Sequence, residues 1–287
     1  MKIKPWLTYA LLSTIFCGIW GALIELPEKN GFPATMGYVI WAMTMIIPAL
    51  IALRRSGERL ERNKTAVLYG MLIGGSGAAG QLILFQALRS GPAYLVFPFV
   101  SLSPLVTIVL SIFVLKEKAS LRGWAGIIVA LISIPLLSYQ PGQDGGRSGV
   151  LWIFLALAVF LLWGIQAYFM KAANNHMRAE SIFFYMMVSG LLLIPVALLM
   201  TDFGQPINWG LKGPYMAAAI QILNALGALF LVYAFRYGRA MIVSPLTNAG
   251  APMITIILSL CIYGLLPHPM ILAGLLLAMI AIFLLAL

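Results

Sequence analysis

Charge is what this sequence has least of. Only 9% of its 287 residues are Asp, Glu, Lys or Arg, 8 of them acidic, and it holds 2 cysteines and 2 histidines. A soluble helical domain needs a charged outer face recurring at helical spacing, whereas here stretches of roughly 20 residues carry no charge. The eight carboxylates, Glu25, Glu28, Glu58, Glu61, Glu117, Asp144, Glu180 and Asp202, all fall at the ends of apolar runs or between them, as do His176 and His268. With no carboxylate pair, histidine cluster or activated nucleophile at bilayer depth, the chain is not read as an enzyme. Cys17 and Cys261 lie within apolar runs at no metal-ligand spacing and read as small core residues. No metal and no cofactor is expected.

What is abundant is apolar surface: 62% of residues are hydrophobic and the mean hydropathy is +1.00. Uncharged runs predict ten membrane-spanning helices, near 7–24, 34–53, 66–88, 92–115, 121–139, 150–171, 180–201, 213–235, 240–263 and 267–286. The breaks between them carry turn chemistry, such as Pro27 with Gly31 and Pro33, Gly91 with Pro92, and Pro267 with Pro269. Lys2 and Lys4 before the first run imitate a signal peptide, but without a small-residue cleavage site the run is read as a retained helix.

The net charge of +10 does not point to nucleic acid, because the bases sit in short gaps between apolar runs and not on one solvated face. On alternate sides of ten spans, Lys29, Arg89, Arg147 and Lys212 fall together and the other 14 of the 18 bases fall opposite. By the positive-inside rule both termini are expected in the cytoplasm, in a multi-pass protein of the cytoplasmic membrane.

The chain also repeats itself. Phe85-Gln-Ala-Leu-Arg89-Ser-Gly91 recurs as Val232-Tyr-Ala-Phe-Arg236-Tyr-Gly238, and Pro98 then matches Pro245. With one residue inserted, Pro104, Thr107, Ser111 and Gly126 match Pro252, Thr255, Ser259 and Gly274, and upstream Trp20-Gly21 matches Trp163-Gly164. Two five-helix units follow, 1–141 and 142–287. Because five is odd, the second enters the bilayer from the face opposite to the first. Inverted repeats of this kind allow alternating access to a central site.

The run Gly91-Pro-Ala-Tyr94 through Pro98, Ser103-Pro104, Leu115-Lys-Glu117-Lys, Arg122-Gly123 and Gly126 resembles the EamA-type, ten-helix branch of the drug/metabolite transporter superfamily. Arg236-Tyr-Gly238, Ser244-Pro245 and Pro252 resemble the same block repeated. The resemblance implies a transporter of small organic metabolites, commonly an exporter, with its pocket among helices one, three, four, six, eight and nine. One departure stands out: opposite Lys116-Glu117 the second half has Gly264-Leu-Leu-Pro-His268, without the acidic residue.

Candidate substrate-binding residues are the neutral polar groups deep in the spans. Gln81 on helix three, Gln221 and Asn224 on helix eight, and Ser244 and Asn248 with Thr255 on helix nine either line a pocket or tie helices together. Side-chain amides both donate and accept, which suits a neutral or zwitterionic solute such as an amino acid. Trp20 and Trp163 either belong to an interfacial belt or flank the cavity mouth; Tyr94, Tyr168 and Tyr233 are similar candidates. Arg89 and Arg236 suit helix C-termini through the helix dipole, with a gate as the alternative. Gly75-Ser-Gly77-Ala-Ala-Gly80 lies mid-span and reads as a thin packing face, not as a dinucleotide loop. Pro98, Pro104, Pro245 and Pro252 invite kinks. The expected molecule is a secondary transporter, with a channel or substrate-sensing receptor as the alternative. Its expected partners are a small metabolite and the lipid bilayer, and a monomer suffices.

Overall fold

The computed structural model describes residues 4–90, 96, 99–137, 139, 150–263 and 268–286, and these are helices joined by short connections. In chain order they are α1 (Pro5–Leu23), α2 (Glu25–Lys29), α3 (Ala34–Thr44), α4 (Ile46–Ser56), α5 (Lys64–Ser90), α6 (Pro104–Phe113), α7 (Leu121–Leu137), α8 (Leu151–Asn174), α9 (Ala179–Leu192) and α10 (Ile194–Leu199). A π-type turn (Leu211–Tyr215) then leads into α11 (Met216–Tyr237), α12 (Ala240–Tyr263) and α13 (Pro269–Ala286). No strand occurs among the described residues. Seven segments are long and apolar enough to cross a membrane: Pro5–Lys29, Ala34–Ser56, Lys64–Ala87, Leu151–Asn174, Ala179–Leu199, Leu211–Tyr237 and Ala240–Leu258. Three shorter apolar helices, Phe99–Phe113, Leu121–Leu137 and Pro269–Leu285, occupy the remaining expected spans.

Proline explains why two expected single helices are divided. A proline supplies no N–H to the carbonyl four residues earlier, and its ring crowds that carbonyl. Pro48 and Pro195 are four residues past Thr44 and Leu191, and the expected helices 34–53 and 180–201 divide there into α3 with α4 and α9 with α10, whereas Pro27, four residues past Leu23, coincides with the expected end of the first helix. The expected kinks resolve unequally. Pro104 opens α6 after a turn at Leu102–Ser103, whereas its repeat partner Pro252 and also Pro245 are absorbed within the continuous α12. Pro98 lies outside the described residues.

The closest helix pairings cross from one half of the chain to the other. α1 packs on α11 and α12, and its repeat counterpart α8 packs on α5 and α6; α9 lies against α5, and α7 against α13. Small residues make the closeness possible. A Cβ at Gly80 would stand 2.5 Å from Trp163 Nε1, and one at Gly77 would stand 2.7 Å from Gln166 Cδ. The glycine run of α5 is thus the packing face expected of it, except Gly75, which faces open space. Thr107 Oγ1 donates to the Gly164 carbonyl at 3.0 Å, and Thr255 Oγ1 to the Gly18 carbonyl at 2.9 Å. These two threonines match in the repeat, and their bonds join the fourth helix of each half to the first helix of the other.

Outward faces are apolar: Leu68, Leu72, Phe154, Leu157, Ile257, Leu276 and Phe283 are all exposed. Buried alanines and methionines, among them Ala10, Met45, Ala49, Met170, Ala173 and Met241, fill the principal core.

Candidate functional site

Helical geometry separates inward from outward positions. Residues nine apart lie 2.5 turns apart, on opposite sides of a helix. Gln81 stands opposite Leu72, Gln166 opposite Leu157, Trp163 opposite Phe154 and Asn248 opposite Ile257, where the four apolar partners are 43%, 39%, 67% and 44% exposed. Asn224 is five residues from exposed Ala219, and Trp20 five from exposed Ile15, again well around the helix. The polar side chains are nonetheless half-buried. Their remaining exposure is therefore to the inside of the bundle and not to its outer surface.

Two tryptophans orient two amides there. Trp20 Nε1 donates to Gln221 Oε1 at 2.9 Å, and Gln221 Nε2 donates to the Gly37 carbonyl at 3.2 Å. Gln221 is 4% exposed, so both its ends are used in tying α11 to α1 and α3. Trp41 Nε1 donates to Asn224 Oδ1 at 2.8 Å. Asn248 Nδ2 donates back to the Ser244 carbonyl at 2.9 Å, and Ser244 itself is buried. Trp163 Nε1 reaches the Gly77 carbonyl at 3.3 Å. Gln81 and Gln166 make no hydrogen bond among the described residues, and Gln166 lies over Gly77.

The expected residues thus divide. Gln81, Trp163, Asn224, Asn248 and Trp20 share the inward side, Gln221 and Ser244 are sealed into helix contacts, and Tyr94 lies outside the described residues. Tyr168 packs on Phe169, while Tyr233 stacks on Tyr9 and donates to Glu180 Oε1 at 2.7 Å, among charged groups. Two residues were not singled out from sequence. Gln166 meets the same criterion as Gln81, an amide deep in an uncharged run. Trp41 carried no such signal, because only the folded chain reveals which amide it holds. A separate groove of about 280 Å³ between α5 and α8, lined by Met71, Leu72, Gly75, Ser76, Leu162, Ile165 and Phe169, is almost wholly apolar and opens outward.

Charged groups gather at the helix ends. Glu58 pairs with Arg178 at 2.9 Å, and Glu61 accepts the Arg178 backbone N–H at 2.7 Å. Glu117 accepts the N–H groups of Ala240 and Met241, each at 3.1 Å, at the start of α12. Arg239 donates to the Lys118 carbonyl, Lys171 to that of Phe235 and Arg236 to that of Met177. These segments all belong to the side expected to be rich in bases. Arg236 lies in the last turn of α11, which suits the helix dipole, while its guanidinium bonds a carbonyl in the connection from α8 to α9; the Arg89 side chain lies outside the described residues. The sequence departure at Glu117 acquires a meaning: in the first half this carboxylate caps a helix of the second. The matching stretch 264–267 is outside the described residues. At the other end, Asn208 donates to the carbonyls of Gly31 and Asn30, Thr35 meets Thr201 at 2.7 Å, and exposed Glu25 pairs with Lys29 at 2.8 Å.

Comparison with known proteins agrees with this architecture. The model of the EamA-like transporter family matches residues 4–139 and again 150–287, once for each half. An uncharacterized protein of Methanocaldococcus jannaschii is 30% identical over 129 residues, which are 45% of this chain and 92% of that protein, so the relative is about the size of one repeat. A solved crystal structure is similar over 96% of this chain and 97% of its own, with a TM-score of 0.78 at 16% identity, a likeness of fold.

Proposed function

Since the chain belongs to the EamA-like transporter family, we propose that it is a secondary carrier of the cytoplasmic membrane moving a small neutral or zwitterionic metabolite by alternating access. Ten spans in two inverted halves, with both termini cytoplasmic, provide the two exchanging arrangements, and export is the direction we assign.

One observation carries the choice of substrate. The inward side bears amides with hydrogen-bonding capacity to spare, at Gln81, Gln166, Asn224 and Asn248, and no Asp, Glu, Lys or Arg accompanies them in the middle of those helices. Unpartnered amides facing lipid are costly, so turned inward they mark a solvated path. Without a charged partner, such a path favours solutes of no net charge. Thr107 and Thr255, which match in the repeat, each bond a backbone carbonyl on the first helix of the other half, Gly164 and Gly18, and this reciprocal contact supports a pairing of two like halves.

The test is flux in liposomes loaded with one unlabelled metabolite at a time. Saturable uptake of labelled solute, accelerated by unlabelled solute on the far side, is expected of a carrier. Non-saturating flux without such acceleration indicates a channel and overturns the proposal.

A further inference from the structure

The outward groove between α5 and α8 is joined to a cation by one face of α5. Lys64, Leu68, Leu72 and Ser76 recur at intervals of four and so share that face. The first three are exposed, and Leu72 and Ser76 line the groove. From Lys64 the groove residues Met71 to Ser76 lie about 10 to 18 Å further along the helix axis. Tyr69 meets Phe169, Gly77 meets Gln166 and Gly80 meets Trp163, so α8 runs antiparallel and its Phe169, Ile165 and Leu162 follow the same descent. Small residues open the space. Nothing lies within 4 Å of where a Cβ at Gly75 would stand, and at the repeat offset that relates Arg89 to Arg236, the second half carries Ile222 and Leu223 in place of Gly75 and Ser76. Ser76 Oγ donates to the Leu72 carbonyl of its own helix at 2.6 Å, so the volume of about 280 Å³ presents hydrocarbon and no spare hydroxyl. Phe169 is held edge-on by Tyr69 and Tyr168, with ring centroids at 5.9 and 5.1 Å. At the near end of the row, Arg62 and Lys64 are exposed and enter no ion pair among the described residues, while the neighbouring Glu58 and Glu61 are engaged by Arg178.

Independently of what the chain carries, we infer that this groove is a binding site for an anionic phospholipid. Its phosphate meets Lys64 and Arg62, and one acyl chain descends past Leu68 and Leu72 to lie over Gly75. Bases without acids beside them attract anionic headgroups, whereas a zwitterionic lipid brings an ammonium of its own to the same place. A second copy of the chain is a poorer occupant, because a two-fold pairing puts the same patch on both sides and sets these bases against their like.

The experiment titrates the purified full chain in detergent with dioleoyl phosphatidylglycerol, with dioleoyl phosphatidylcholine and with glycerol 3-phosphate, and reads the melting temperature. Wild type is expected to be raised at lower lipid-to-detergent ratio by phosphatidylglycerol than by phosphatidylcholine, and not at all by the headgroup alone. Gly75→Leu fills the groove from an unobstructed Cβ and favours the helix. It is expected to melt no lower than wild type without lipid and to lose the response to phosphatidylglycerol. Lys64→Gln is expected to raise the half-saturating phosphatidylglycerol ratio about fivefold, the effect of one base near an anionic surface, and to leave phosphatidylcholine unchanged. Arg122→Gln, at an exposed base on the same side at the start of α7, is expected to alter neither. Equal responses of wild type to the two lipids, a shift from glycerol 3-phosphate alone, a full response in Gly75→Leu, or equal weakening by Lys64→Gln and Arg122→Gln would each overturn the site. A fall in oligomeric mass on Gly75→Leu would overturn it too, by making the groove a contact between copies.

Discussion

Gly21 and Gly164 match in the two halves, but a methyl group added to each meets different obstacles. At Gly164 it would collide with Val106 Cβ and stand 2.7 Å from the Ser103 carbonyl oxygen. Neither atom can rotate away, so Gly164→Ala must push α6 off α8 and also strain the bond from Thr107 to the Gly164 carbonyl. Overpacking of this kind costs about 1–3 kcal/mol. At Gly21 the collision is with Thr255 Oγ1, a side-chain hydroxyl that can turn. The cost there is mainly the Thr255 bond to Gly18, about 0.6 kcal/mol for an average interhelical bond in a membrane. Thermal unfolding of both variants in the same detergent should place Gly164→Ala lower by several degrees and Gly21→Ala close to wild type. Equal losses, or a Gly164→Ala variant as stable as wild type, would refute the steric reasoning.

Three further outcomes are expected. Glu117→Ala strips two N–H groups of α12 of their acceptor and should cost about 1–2 kcal/mol, while Glu117→Gln keeps a carbonyl and should cost less; denaturation midpoints in the reverse order would contradict the cap. Gln221→Leu strands the Trp20 indole N–H and should cost about 1–3 kcal/mol without changing which solutes are exchanged in liposomes, and a changed solute preference would make Gln221 a binding residue. Pro252→Ala restores a donor for the Asn248 carbonyl and should slow exchange in liposomes with little loss of stability. Unchanged exchange would remove that proline as a hinge.

Lipid-facing runs were legible because a bilayer demands long uncharged stretches, and the two-fold repeat because Thr107 and Thr255 kept both identity and spacing. Their bonds reach the first helix of the opposite half in both cases, at Gly164 of α8 and at Gly18 of α1. The end of the first helix at Leu23 agrees with its expected span, whereas the breaks near Thr44 and near Leu191 fall inside expected spans, although each follows from the proline four residues on. Depth and chemistry pointed alike to Gln81, Gln221, Asn224 and Asn248, of which Gln221 is sealed, and the same criterion applies to Gln166, which was not singled out. Which end of an amide is free is another matter. It depends on Trp41 and Ser244 across or along the fold, as the role of Glu117 depends on a helix start more than a hundred residues away, and no local pattern encodes such partners.

The central claim, two halves inserted upside down relative to each other, is tested most directly in the loops that follow the second helix of each half. With Cys17 and Cys261 replaced by alanine, Arg62→Cys and Phe203→Cys, both at exposed positions, would be treated in intact cells with an impermeant maleimide. Labelling of Phe203→Cys at once, and of Arg62→Cys only after the membrane is opened, is the expected result. Labelling of both from the same side would contradict the account.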